Sequence, residues 1–203
     1  MDGLMIDSES IYQMAWLRAI REFEREMPDE VFRRFLGRNL PDSHALLAEI
    51  YGAEFDVGGF LGRCSTIART HIEAHGIPHK TGLGTLLDAL EARGLPKGVA
   101  TSTRREWALR SLGALADRFE VLATGDEVPR GKPAPDIFLL CAERLQVAPP
   151  ACLVLEDSEA GIHAAHAAGM RVIMVPDLVE PTDEIRALAW RVCASLDEVR
   201  AVF

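Results

Sequence analysis

Apolar residues recur along this chain in two different rhythms. From residue 8 to about residue 79 the spacing is helical. Tyr12, Ala15, Trp16, Ala19, Ile20 and Phe23 share one face, and Phe60, Leu61, Cys64, Ile67, Ala68 and His71 share another. Shorter helical patterns lie between them at 31–36 and 46–51, punctuated by Gly37 and Gly52. No strand pattern is found in this stretch. Beyond it the rhythm changes. Leu83, Leu86, Leu87 and Leu90 form an apolar helix face that stops at Gly94. Short apolar runs at 99–101, 119–124, 152–155 and 171–175 then alternate with helical segments at 104–112, 136–145 and 158–168. Thr182 can cap a further helix, a short strand fits at 191–193, and a last helix covers 195–202. Strands alternating with helices predict an α/β fold with a doubly wound parallel sheet. Residues 1–7 and 80–203 are expected to form that core, and residues 8–79 an inserted all-helical subdomain.

Composition narrows the function classes. With 203 residues, one domain or one domain plus an insert is expected. The net charge of -9 argues against a nucleic-acid surface. A phosphate ester is still acceptable, because local lysines and a metal can outweigh the global field. Cys64, Cys141, Cys152 and Cys193 are far apart in apolar segments, which suits buried thiols in a reducing compartment rather than disulfides or zinc. No apolar run approaches membrane-spanning length and no signal peptide is visible. The expected location is the cytoplasm, with no membrane partner.

Four chemically loaded stretches fall where strands end, which is where open α/β sheets bind ligands. Asp2-Gly3 opens the chain, with Asp7 four residues beyond Gly3. Thr101-Ser102-Thr103 follows a strand and offers hydroxyls and helix-opening amides to an anion. Arg130-Gly131-Lys132-Pro133 places a lysine before a helix. Glu156-Asp157 follows the run from Cys152 to Leu155, and Ser158 then opens a helix. Neighbouring strand residues face opposite ways, so one carboxylate of the pair can ligand directly and the other through water. Paired hard oxygens suit Mg2+. Taken singly, each stretch has a plain reading as a cap, a solvated lysine or acids at a helix start. Together they supply an acid, a hydroxyl anion site, a cation and a metal-binding pair, as phosphoryl transfer requires.

Other signals do not hold. The stretch 125–132 has one residue too many for a P-loop, and Pro133 stands where Ser or Thr is needed. Gly82-Leu83-Gly84 has no preceding strand, and the glutamate of His71-Ile72-Glu73-Ala74-His75 is misplaced for a zinc protease. Trp16, Trp107 and Trp190 read as packing residues.

In their order, Asp2-Gly3, Thr101, Lys132 and Glu156-Asp157 resemble the haloacid dehalogenase superfamily. The chain is similar to its beta-phosphoglucomutase-like phosphatases and mutases, whose helical cap follows the first motif. The resemblance runs to about Pro176. It implies that Asp2 is the general acid/base, with its backbone carbonyl helping to hold Mg2+. It implies that Thr101 and Ser102 bind the phosphoryl oxygens, that Lys132 neutralises nucleophile and phosphate, and that Glu156 and Asp157 hold the metal. The helical insert is implied to be a mobile cap that closes over a small phosphorylated metabolite and excludes water.

The family motif is Asp-x-Asp-Gly with its first Asp as nucleophile, and Met1 occupies the x position here. A strand rich in apolar and β-branched residues, ending in that Asp, is therefore expected directly before Met1. A truncated, non-catalytic binding or regulatory protein is the reading from another class. Mutases of the group carry a cap arginine where an ungapped reading places Leu40, with Arg38 nearby, which favours phosphatase over phosphomutase. A 2-haloacid dehalogenase would not call for Glu156-Asp157. Lys132→Ala is expected to fold normally but turn over poorly.

Overall fold

The computed structural model describes residues 1–35, 40–177 and 180–203. It divides into two compact units, Met1–Asp7 with Pro78–Phe203, and Ser8–Ile77.

The first unit is α/β. Its strands are β1 (Gly98–Thr101), β2 (Val121–Thr124), β3 (Leu153–Glu156), β4 (Arg171–Met174) and β5 (Arg191–Val192). All ladders between them are parallel. β1 pairs with β2, setting Thr101 opposite Thr124. β3 pairs with β4, setting Glu156 opposite Met174, and β4 pairs with β5. The strand expected over 119–124 begins only at Val121, because a 3-10 turn over Gly113–Arg118 runs up to Phe119, whose N–H is spent on the Ala116 carbonyl.

The helices of this unit are α5 (Leu83–Glu91), α6 (Arg105–Leu112), α7 (Asp136–Leu145), α8 (Glu159–Ala167), α9 (Asp183–Leu188) and α10 (Leu196–Arg200). α7 buries Ile137, Phe138, Cys141 and Ala142 against β1 and β2. α8 buries Gly161, Ile162, Ala164 and Ala165 beside β3 and β4; small side chains on that face let helix and strand approach closely. Ser158 caps α8 by accepting from Gly161 N at 3.1 Å, and Thr182 caps α9 by accepting from Ile185 N at 3.3 Å.

The sheet is in two parts. Among the described residues β1 and β3 each carry a ladder on one side only. Both border one cavity of about 460 Å³, lined mainly by apolar side chains such as Leu4, Leu87, Val99, Phe138, Val154 and Leu155.

The second unit is helical, with α1 (Ser8–Glu22), α2 (Asp29–Arg33), α3 (Leu40–Tyr51) and α4 (Val57–His75). α1 lies along α4 and buries Ile11, Ala15, Ala19 and Ile20. Phe60, Leu47 and Ile20 are almost fully enclosed, each stabilising the unit by about 1.5–3 kcal/mol. Trp16 is a packing residue, its ring 5.0 Å from Phe35 and 5.3 Å edge-on from Phe60. His71 and His75 stack on one another at 4.5 Å. Arg38 lies outside the described residues, as does the side chain of Leu40.

Candidate active site

Thr101 and Glu156 are the last residues of β1 and β3, so both sit at the carboxyl edge of their sheets. Thr101 is 3% exposed, and its Oγ1 accepts from the Thr103 N–H at 3.2 Å. Ser102, one residue further, is exposed. Thr103 then reaches back across the sequence and donates its hydroxyl to Asp2 Oδ2 at 3.0 Å. The hydroxyl cluster after β1 is thereby tied to the turn that carries Asp2. That turn is held from within by Leu4 N to Asp2 O at 2.8 Å and Met5 N to Met1 O at 2.9 Å.

Lys132 and Glu156 form an ion pair with side chains only 10% and 5% exposed. The Lys132 ammonium also lies 4.7 Å from the centre of the Phe138 ring and 3.5 Å from the Ala100 carbonyl at the end of β1. Glu156 is saturated on its other oxygen. Oε2 accepts from Asp157 N at 2.9 Å, Ser158 N at 3.0 Å and Ser158 Oγ at 3.0 Å. Burial pushes the Glu156 carboxyl up, but the adjacent Lys132 charge outweighs it and the group is held low. This pocket exists only because residue 161 is glycine. A Cβ there would run into the Glu156 carboxyl group.

Asp157 has the opposite electrostatics. Burial first, and then the neighbouring Glu156 charge, raise its pKa. Its carboxylate presses against Gly3, which has φ +71° and no room for a Cβ on the side facing Asp157 Oδ2. A backbone in the left-handed region that also approaches a carboxylate this closely requires glycine. Asp177 Oδ2 lies 3.1 Å from the same absent Cβ. It is fixed by Lys80, whose ammonium donates to Asp177 Oδ1 at 2.6 Å and lies 3.5 Å from Asp7 Oδ1.

The donor set suits a hard divalent cation. Among the described residues no group of three or more His, Cys, Asp or Glu side chains could hold a metal by themselves. Mg2+ does not need such a cage, because it keeps several waters and takes one or two carboxylates together with substrate phosphate. The residues that could hold it are Asp157, a half-buried acid, the Asp2 backbone carbonyl, and Glu156 at one remove.

Thr101 ends β1, Glu156 ends β3 and Asp157 follows it, where the sequence pattern put a strand end; Lys132 instead lies in the loop before α7, and Asp2 in a turn outside any named strand. The tie from Thr103 to Asp2, the Ser158 hydroxyl on Glu156, and the Lys80–Asp177 pair were not anticipated. Lys80 and Asp177 are 97 residues apart, and no local pattern joins them.

Residues 1–175 match the family model of the haloacid dehalogenase-like hydrolases, and the chain belongs to that family. It is 30% identical over 175 residues to the phosphorylated carbohydrates phosphatase of Thermotoga maritima, covering 85% of this chain and 81% of the relative. It is 40% identical over 116 residues to Protein CbbY of Rhodobacter capsulatus, a match that spans 55% of this chain and 51% of the relative. The structure superimposes on a HAD family hydrolase of Deinococcus radiodurans R1 with bound phosphate and sodium. There the TM-score is 0.84 and the identity 27%, over 100% of this chain and 91% of the other.

Proposed function

We propose that this protein hydrolyses a small phosphate monoester, a sugar phosphate or similar metabolite, in a Mg2+-dependent reaction that passes through an aspartyl-phosphate. The observation that carries the reading is the buried Lys132–Glu156 pair set beside Asp157, with the Lys132 ammonium also 3.5 Å from the Ala100 carbonyl next to Thr101. The phosphatase relative from Thermotoga maritima supports the substrate class.

Asp2 is assigned the general acid/base role, protonating the leaving alcohol and then taking a proton from water. Thr103 orients its carboxylate for that task. Thr101 and Ser102 bind the phosphoryl oxygens, and Lys132 neutralises their charge in a site where it is only 10% exposed. Asp157, the Asp2 carbonyl and Glu156 would hold the cation, and Mg2+ bound there would supply further charge neutralisation for phosphate. The phosphoryl acceptor is proposed to be an aspartate directly ahead of Met1, since Asp2 takes the acid/base place of the family motif. The cavity bordered by the one-sided edges of β1 and β3 supports a strand running into that position.

A panel of phosphate esters, with and without Mg2+, tests the reading on the 203-residue chain and on a version extended by its in-frame upstream codons. Mg2+-dependent release of phosphate by the extended form, with negligible turnover by the shorter one, is expected. Isomerisation of a sugar phosphate without phosphate release would establish a phosphomutase. Tight binding without turnover in either form would establish a binding protein.

A further inference from the structure

Asp177 has no part in the motifs that the family resemblance brought together, yet the structure gives it a defined place. It lies three residues beyond β4, and Asp157 lies one residue beyond the neighbouring β3. The two strands are in register to their ends, Glu156 opposite Met174, and Val175 N continues the ladder to the Glu156 carbonyl at 2.7 Å. Both acids therefore emerge at one edge of one sheet. Their Oδ2 atoms converge on the same point, the missing Cβ of Gly3.

Two carboxylates meeting at one backbone position repel each other unless a cation lies nearby. Asp177 has such a cation on its far oxygen, in Lys80. Its side chain is 12% exposed and that of Lys80 25%. Lys80 is itself anchored, its backbone N–H donating to Met5 O at 2.9 Å. Asp177 is thus held rigidly by one oxygen, while the other faces Gly3 and Asp157. An ion pair needed only to fasten the segment after β4 would gain nothing from aiming its second oxygen at Gly3.

We propose that Asp177, anchored by Lys80, is a positioning residue for the cation site at Asp157: it sets the Gly3 turn against the Asp157 carboxylate and adds negative charge beside the ion. This rests on the cation site proposed above. The physical expectation is that of an outer-shell partner, whose loss typically weakens metal binding 10–100-fold.

The test is Mg2+ titration calorimetry on the 203-residue chain, with the melting temperature of the metal-free protein measured alongside. Asp177→Asn keeps the shape of the side chain and removes its charge. It is expected to raise the Mg2+ Kd about tenfold or more while the metal-free Tm stays within a few degrees of the parent. Asp183→Asn removes an equal charge from the exposed first turn of α9 and is expected to leave the Kd unchanged. Asp157→Ala is expected to abolish binding. If Asp157→Ala abolishes binding and Asp177→Asn leaves Kd as it was, the cation site stands and the role of Asp177 is overturned. An equal loss in Asp183→Asn, or a loss in Asp177→Asn that merely follows a collapse in Tm, also overturns it. If Asp157→Ala binds Mg2+ like the parent, the site itself is wrong and both readings fall.

Discussion

The Lys132 ammonium and the Glu156 carboxylate neutralise one another in a part of the protein that water scarcely reaches. Removing one partner of such a pair leaves an uncompensated buried charge, a loss of about 3–5 kcal/mol. Lys132→Ala is therefore expected to be markedly less stable than the parent, contrary to the sequence-based expectation that it would fold normally. At roughly 2–4 °C per kcal/mol for a chain of this size, the Tm should fall by about 6–20 °C. Adding Glu156→Gln should recover part of that fall, because the orphaned charge goes too. Thermal melts of the two single variants and the double variant form the cycle that checks this. Additive losses would mean that the pair is not coupled.

Gly161→Ala reverses a general rule. In a helix interior, alanine is ordinarily favoured over glycine by about 1 kcal/mol. Residue 161 lies in the first turn of α8, and an added methyl would meet the Glu156 carboxyl group held there by Ser158 and Asp157 amides. The carboxyl cannot retreat without giving up those bonds or Lys132. Gly161→Ala should therefore destabilise by about 1–3 kcal/mol, as overpacking does. Denaturant unfolding would show a lower midpoint with an unchanged slope. A midpoint equal to or above the parent's would contradict the packing described.

Glu127 should govern part of the acid limb of stability. Its carboxylate accepts from Arg144 at 3.0 Å, Arg105 at 3.0 Å, and Thr124 N and Oγ1 at 2.9 and 2.8 Å, tying the end of β2 to α6 and α7. The hydrogen bond from Arg144 leads the causes that lower its pKa to about 2. The ordinary value is about 4.3. The folded state therefore binds this proton less readily than the unfolded chain. The stabilisation is fully present above about pH 4.3 and is lost as pH falls through about 2. Glu127→Gln should flatten the dependence of Tm on pH between those limits, with the largest difference from the parent above pH 5. Parallel curves for the two proteins would remove Glu127 from this role.

These cases show what residue types and spacing can reveal. The run ending in Leu155-Glu156-Asp157 was legible because a short apolar stretch meets two acids and a capping serine, all local signals. The ends of α8 and α9 were legible for the same reason, in Ser158 and Thr182. The partnership of Lys132 with Glu156 was not, although both residues stood out, because which distant side chains meet depends on strand order and register. Lys80 and Asp177 carried no local signal at all. A surface lysine and an acid after a strand are indistinguishable in sequence from solvated residues until β4 and the Gly3 turn are brought together.

The cavity bordered by β1 and β3 also has a consequence in solution. The space, about 460 Å³ and partly open to solvent, is walled by leucine, valine and phenylalanine side chains. Contiguous apolar surface within reach of solvent is a site for other apolar surfaces. The folded 203-residue chain should therefore brighten an apolar fluorescent dye such as anilinonaphthalene sulfonate, and it should self-associate as its concentration rises. Dye titration and light scattering on the folded protein would register both; a protein that neither brightens the dye nor associates would show that this surface is closed.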